Sequence, residues 1–146
     1  MPKKFTFRLQ PILDIRLTEV NNAKNAFGKA MQARVAKEEE IAQAEDHIRS
    51  LMRQAGDAQH GMTSAQALEA QWYHVRAQKH DVKQMLGALD KLRAEEEQKR
   101  ILLAEAVQRQ KALERLKEKR VEEYTQDTLR EEQQFLDELA QKRIQL

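Results

Sequence analysis

The histidines are the first residues to consider for chemistry, because imidazole binds metals and transfers protons near neutral pH. The four are His47, His60, His74 and His80. None lies three or four residues from another, so a helix would not carry two of them on one face as metal ligands. Asp81 beside His80 is too little to define a site.

Other signatures of catalysis are also missing from the sequence. A phosphate-binding loop and a nucleophile elbow both need clustered glycines, and the chain has four glycines with no such motif. The chain has no cysteine, which excludes disulfides and thiolate catalysis. We therefore expect no enzymatic activity, no metal and no cofactor.

Charge is sorted along the chain. Between Lys99 and Arg120, eight basic and three acidic residues give a net charge of +5. Over residues 1–16, four basic residues and one acidic residue give a net charge of +3. Residues 121–146 carry seven acidic against three basic residues, or −4. A basic run could contact nucleic acid, pair within its own helix, or bind an acidic protein. The interleaved glutamates and the overall charge of +2 argue against nucleic acid, and the other two readings stay open.

Composition predicts long helices rather than a mixed fold. About a third of the chain is charged (34%), and Ala, Glu, Gln, Lys, Leu and Arg dominate, as in coiled coils. No apolar run approaches the roughly 20 residues needed to cross a bilayer. The N-terminal residues lack the apolar stretch of a secretory signal. We expect a soluble intracellular protein, all-α in fold.

Local signals divide the chain into segments of one predicted coiled-coil domain. Residues 1–10 alternate polar and apolar types, which indicates an extended segment with one apolar face. The predicted segments are an extended segment at 1–10, helix 1 at 11–55, a turn at 56–63 and helix 2 at 64–146. In the turn, Gly56 is expected to adopt a left-handed conformation that ends helix 1, and Thr63 with Gln66 to cap helix 2.

Heptad spacing predicts how the two helices pack. The positions in helix 1 are Leu13, Val20, Phe27, Arg34, Ile41, Ile48 and Ala55, and those in helix 2 are Leu68, Val75, Val82, Leu89, Glu96 and Leu103. Two such seams predict an antiparallel two-helix coiled-coil hairpin, in which the numbers of facing residues add to about 119. That register places Leu51 against Leu68 and Lys37 beside Val82, so the seam contains polar layers.

Helix 2 is predicted to be longer than helix 1. With the same rise per residue in both helices, helix 1 covers helix 2 only to about residue 107. Apolar side chains beyond that point keep a spacing of three or four: Leu113, Leu116, Val121, Tyr124, Phe135, Leu136 and Leu139. A helix with such an uncovered apolar face binds a partner, self-associates or frays. Tyr73 points about 100° away from Trp72 on the helix, which makes it a candidate interface aromatic or an incidental surface tyrosine.

Two stretches carry a family signal. The first, FTFRLQPILDIR, runs from Phe5 to Arg16, and the second, KALERLKEKRVEEY, runs from Lys111 to Tyr124 and is followed by EEQQFLDELAQKR. In this order they resemble the FliJ-type flagellar export protein of bacteria, and the resemblance spans essentially the whole chain.

The resemblance implies an antiparallel coiled coil similar to the central-stalk γ subunit of rotary ATPases. It also implies a stalk that binds within the hexameric flagellar export ATPase, contacts the cytoplasmic domain of the export gate and escorts export chaperones. The expected location is cytoplasmic, peripheral to the inner membrane at the flagellar base. The protein is expected to be a monomer or to self-associate weakly.

The family motifs map onto two groups of residues expected to bind partners. The N-terminal motif carries over to Phe5, Phe7, Arg8, Leu9, Pro11, Leu13 and Arg16, and the C-terminal one to Leu113, Leu116, Lys117, Arg120 and Tyr124. From the residue pattern we add Arg115, in the basic run, and Tyr73. The alternatives are a stalk protein of a virulence secretion system, and a coiled-coil scaffold that dimerises through residues 108–146.

Overall fold

The computed structural model describes residues 4–61 and 64–145, which form two α-helices and, in that part of the chain, no strand. Helix α1 comprises Gln10–Gln59, 50 residues, and helix α2 comprises Ala65–Gln145, 81 residues. The predicted all-α hairpin with a longer second helix is confirmed. Residues 1–3 of the predicted extended segment, Thr63 and residue 146 lie outside the described residues.

Helix α1 continues past its predicted end. Gly56 lies inside the helix, and no described residue has a positive φ, so the expected left-handed glycine is not there. Ala55 is completely buried, and its packing offsets the roughly 1 kcal/mol that a helical glycine costs. The helix ends in two backbone hydrogen bonds that each span three residues. The N–H of His60 donates to Asp57 O and that of Gly61 donates to Ala58 O, both at 3.2 Å.

Helix α2 is capped by Ser64. The backbone N–H of Ala67 donates to Ser64 Oγ at 3.2 Å, and that of Leu68 donates to Ser64 O at 3.1 Å. This is the bonding of an N-cap serine, which satisfies a donor that the first turn leaves open. The cap therefore lies one residue later than predicted.

The chain divides into two compact units. The hairpin unit comprises residues 23–102, and the terminal unit comprises the residues up to 22 together with those from 103 onward. The core of the hairpin unit consists of Ile41, Ile48, Val75, Val82 and Leu89, with Ala44, Leu51, Trp72 and Met85 packed against it. The five core residues all occupy predicted heptad positions, so the heptad pattern identified this core.

A charged layer crosses the hairpin unit. Arg34 binds both Glu96 on α2 and Glu38 on its own helix, and Arg93 on α2 reaches Glu38 at 3.4 Å. The bonds from Arg34 first, and then from Arg93, lower the pKa of the Glu38 carboxyl. Bonds to Glu38 and then to Glu96 raise the pKa of the Arg34 guanidinium.

The register of the hairpin differs from the predicted one. Arg34 would face residue 85 if facing numbers added to about 119, yet it binds Glu96, eleven positions further along α2. The second ion pair between the helices, Glu38 with Arg93, adds to 131 and deviates from the predicted sum in the same direction. The predicted pairings, including Leu51 with Leu68, are therefore wrong. Because α1 runs on to Gln59, the chain folds back later than predicted.

The terminal unit has a smaller core of Leu13, Val20 and Ala106. Half-buried side chains continue along α2 as far as Thr128. This is beyond about residue 107, the limit predicted for the part of helix 2 that helix 1 alone can cover. From Leu129 to Ile144 every side chain is exposed. The cover between these limits comes from the segment before α1.

Candidate partner-binding surface

Residues 4–9, here called the N-terminal segment, lie along α2 in the terminal unit. Their side chains alternate between exposed and half-buried, with Phe5, Phe7 and Leu9 on the half-buried side. This matches the period of two in the sequence. The Phe5 and Tyr124 rings pack with centroids 5.6 Å apart at 53°, a tilted aromatic pair.

Gln10 links this segment to both helices. The backbone N–H of Gln10 donates to Phe7 O at 3.1 Å, and its side-chain Nε2 donates to Asp14 Oδ1 at 2.9 Å. Lys117 Nζ donates to Gln10 Oε1 at 2.8 Å. Lys117 is thus half-buried and engaged within the chain, so its ammonium group serves the fold as well as any partner.

The N-terminal segment and α2 enclose an open cavity of about 620 Å³. Seven of the expected partner-binding residues line it: Phe5, Phe7, Arg8, Leu9, Leu116, Arg120 and Tyr124. The structure therefore brings the two family motifs together at one place in the terminal unit. Lys4, Thr6, Glu123 and Asp127 also line the cavity and were not among the expected residues, because their types alone do not distinguish them from other surface residues.

Other expected residues of the terminal unit take different roles. Leu13 is 4% exposed and belongs to the core, so its side chain is not open to a partner. Arg16 pairs with Glu19 on its own helix at 3.0 Å. Leu113 is half-buried, whereas Arg115 is exposed. Lys111, Arg115, Lys119 and Arg120 are the exposed cations between Lys111 and Tyr124. Of these, Arg115 and Arg120 carry a guanidinium, which can form a bidentate bond with a carboxylate.

The last part of α2 exposes a run of large apolar side chains. The exposed members are Leu129, Phe135, Leu136, Leu139 and Ile144. At about 100° per residue, Phe135 and Leu139 lie within about 60° of the helix face that carries Tyr124, whereas Leu136 and Leu129 lie about 120° and 140° from it. Leu129 and Ile144 were not among the candidates. Leu129 lies seven residues before Leu136, a helical spacing visible in the sequence, whereas Ile144 lies nine residues after Phe135 and on the opposite side of the helix. Acidic residues flank this run, which the described part of the chain leaves uncovered.

Tyr73 lies in the hairpin unit and is 69% exposed, whereas Trp72 packs against the core of that unit. The two side chains therefore differ in exposure, as expected for adjacent residues that point about 100° apart on a helix. Tyr73 is an accessible aromatic side chain, and a role in binding a partner remains a prediction.

Within residues 4–61 and 64–145, no three His, Asp or Glu side chains are grouped as metal ligands. Over the same ranges, neither helix is long and apolar enough to span a lipid bilayer.

The comparisons with known proteins place the chain in a family. The family model described as "Flagellar FliJ protein" matches residues 5–146, a range that includes both motifs and the whole of α1 and α2. No match is found among curated proteins, and none among solved structures. Since the family match covers almost the full length, the chain belongs to the flagellar FliJ protein family and is a component of flagellar type III protein export.

Proposed function

We propose that the protein is a non-enzymatic stalk of the hexameric flagellar export ATPase. In this role it promotes assembly and activity of the ATPase, links it to the cytoplasmic domain of the export gate and escorts export chaperones. It acts in the cytoplasm, at the inner membrane below the flagellum. Family membership supports the flagellar system over a virulence secretion system.

The observation that carries the proposal is the joining of both motifs on one surface of the terminal unit. Phe5 against Tyr124 and Gln10 against Lys117 fix the N-terminal segment on α2. Arg120 is exposed and lines the cavity beside this segment, and Arg115 is exposed in the same basic run of α2. A basic surface with aromatic side chains suits a protein partner that presents carboxylates.

The exposed apolar run from Leu129 to Ile144 supports the same role. Large apolar side chains at helical spacing are costly to leave in water, at about 25 cal/mol per Å². A helix inserted into the centre of a ring would bury them against several subunits at once. This part of α2 therefore suits insertion into a ring better than a site that binds one small ligand.

The test is stimulation of the purified export ATPase by this protein. We expect the wild-type chain to raise the rate of ATP hydrolysis and the fraction of hexamer, and Arg115→Glu with Arg120→Glu to reduce both severalfold. Lys117 is left unchanged because its bond to Gln10 supports the fold. Reversing two exposed cations of the hairpin unit, Arg76→Glu with Lys79→Glu, is the matched control.

The control variant should stimulate the ATPase as the wild type does. If the wild-type chain changes neither hydrolysis nor oligomerisation, the stalk assignment is wrong. If both double variants lose stimulation equally, general charge rather than this surface is responsible.

A further inference from the structure

The apolar seam of the hairpin unit does not by itself choose one register. Its core residues repeat every seven positions in both helices, from Ile41 to Ile48 and from Val75 through Val82 to Leu89. Sliding one helix by seven residues, about 10 Å, sets seam positions against seam positions again. Apolar burial alone does not distinguish these registers, although a slide would also move residues through the short turn between Gln59 and Ala65.

The charged layer interrupts this repetition once in each helix. Arg34 and Glu96 both occupy heptad positions that are apolar elsewhere in the core, and they bind each other. Only 26% of the Arg34 side chain and 19% of the Glu96 side chain is exposed. Separating two partly desolvated charges in a seam is costly, because each would be left without its partner.

Glu38 and Arg93 extend this layer into a network of four side chains. Glu38 accepts bonds from Arg34 at 3.0 Å and from Arg93 at 3.4 Å, so it bridges the two helices. Among the described residues, Arg34–Glu96 and Arg93–Glu38 are the ion pairs that join α1 to α2. A slip of one heptad in either direction separates both pairs by about 10 Å.

We propose that this four-residue layer selects the register of the hairpin unit. A single polar position in a coiled-coil seam is known to specify register at some cost in stability, and here Arg34 and Glu96 pair at such positions on the two helices. The register in turn decides which α1 side chains lie beside exposed Tyr73 on α2. This inference is independent of the proposed function.

The test measures the register directly by electron–electron distance spectroscopy. The chain has no cysteine, so spin labels can be placed on Gln32→Cys and Arg76→Cys, two exposed sites on opposite helices of the hairpin unit. The full chain should give one distance. Replacing Arg34 and Glu96 together by Leu should add a second population, displaced by about 10 Å, while circular dichroism stays helical.

Two further variants complete the test. Inverting all four charges keeps every pairing and should restore the single distance. Replacing Asp46 and Arg49 by Leu removes an exposed ion pair within α1 and should leave the single distance unchanged. If the Leu variant unfolds, replacing Arg34 and Glu96 by Gln retains a polar seam, and the second distance is expected there.

A single unshifted distance in both the Leu and the Gln variants overturns the proposal. A second distance in the charge-inverted chain does so too, because pairing would then not be what selects the register.

Discussion

At the scale of residues, the contact between Phe5 and Tyr124 joins sites 119 positions apart in the sequence. The alternation of residues 4–9 fixes which side chains of the N-terminal segment are apolar, and the spacing in α2 fixes the face on which Tyr124 lies. Neither pattern says that these two rings meet. The contact depends on where α1 begins. Because α1 starts at Gln10, the six described residues before it lie along α2, and this brings Phe5 to Tyr124.

We predict a measurable coupling between these two rings. In a double-mutant cycle of Phe5→Ala and Tyr124→Ala, the coupling free energy of unfolding should be about 0.5–1.5 kcal/mol, the usual range for an aromatic pair. The measurement is chemical denaturation of the four proteins. The cycle of Phe5→Ala with Tyr73→Ala should give no coupling, because Tyr73 is exposed in the other unit. A value near zero for Phe5 and Tyr124 would contradict the packing described above.

At the scale of elements, the sequence predicted both helices and their seam but neither their register nor the end of α1. The register was missed because two heptad seams match equally well after a shift of seven residues. The end of α1 was missed because glycine near polar residues is a good turn signal, yet burial of Ala55 outweighs it. In both cases tertiary packing decided what the local pattern left open.

The start of α2 gives a prediction about a single hydroxyl. Ser64→Ala should lower the free energy of unfolding by about 1 kcal/mol, because the N–H of Ala67 loses its acceptor. Ser50→Ala inside α1 is the matched control and should be neutral or slightly stabilising, since alanine has the higher helix propensity. Thermal and denaturant unfolding of both variants checks this. Equal effects at the two sites would argue that Ser64 is not the cap.

At the scale of the whole molecule, the sequence was sufficient for the fold class and the family, because heptads and the two motifs are local patterns. It was less informative about the candidate surface. Seven expected residues meet at one cavity, but Leu13 belongs to the core and Arg16 is paired with Glu19. Residue type does not reveal which members of a motif support the fold and which remain accessible; only the packing of the terminal unit separates them.

Two truncations should separate stability from function. Removing residues 129–146 should leave the unfolding temperature nearly unchanged, because each side chain from Leu129 to Ile144 is exposed. Under the proposed function, the same truncation should abolish stimulation of the export ATPase. Removing residues 1–9 should instead lower the unfolding temperature, because it uncovers Leu116 and Tyr124.

Sedimentation of the full and truncated chains tests the scaffold alternative in the same samples. A stalk whose apolar run is reserved for the ATPase should sediment as a monomer, or as a weakly associating species, at micromolar concentration with or without residues 129–146. A tight dimer that the truncation converts to a monomer would instead assign Leu129 to Ile144 to self-association. The charge of this part of the chain opposes that outcome, because residues 121–146 carry seven acidic against three basic residues, and two such tails side by side repel each other.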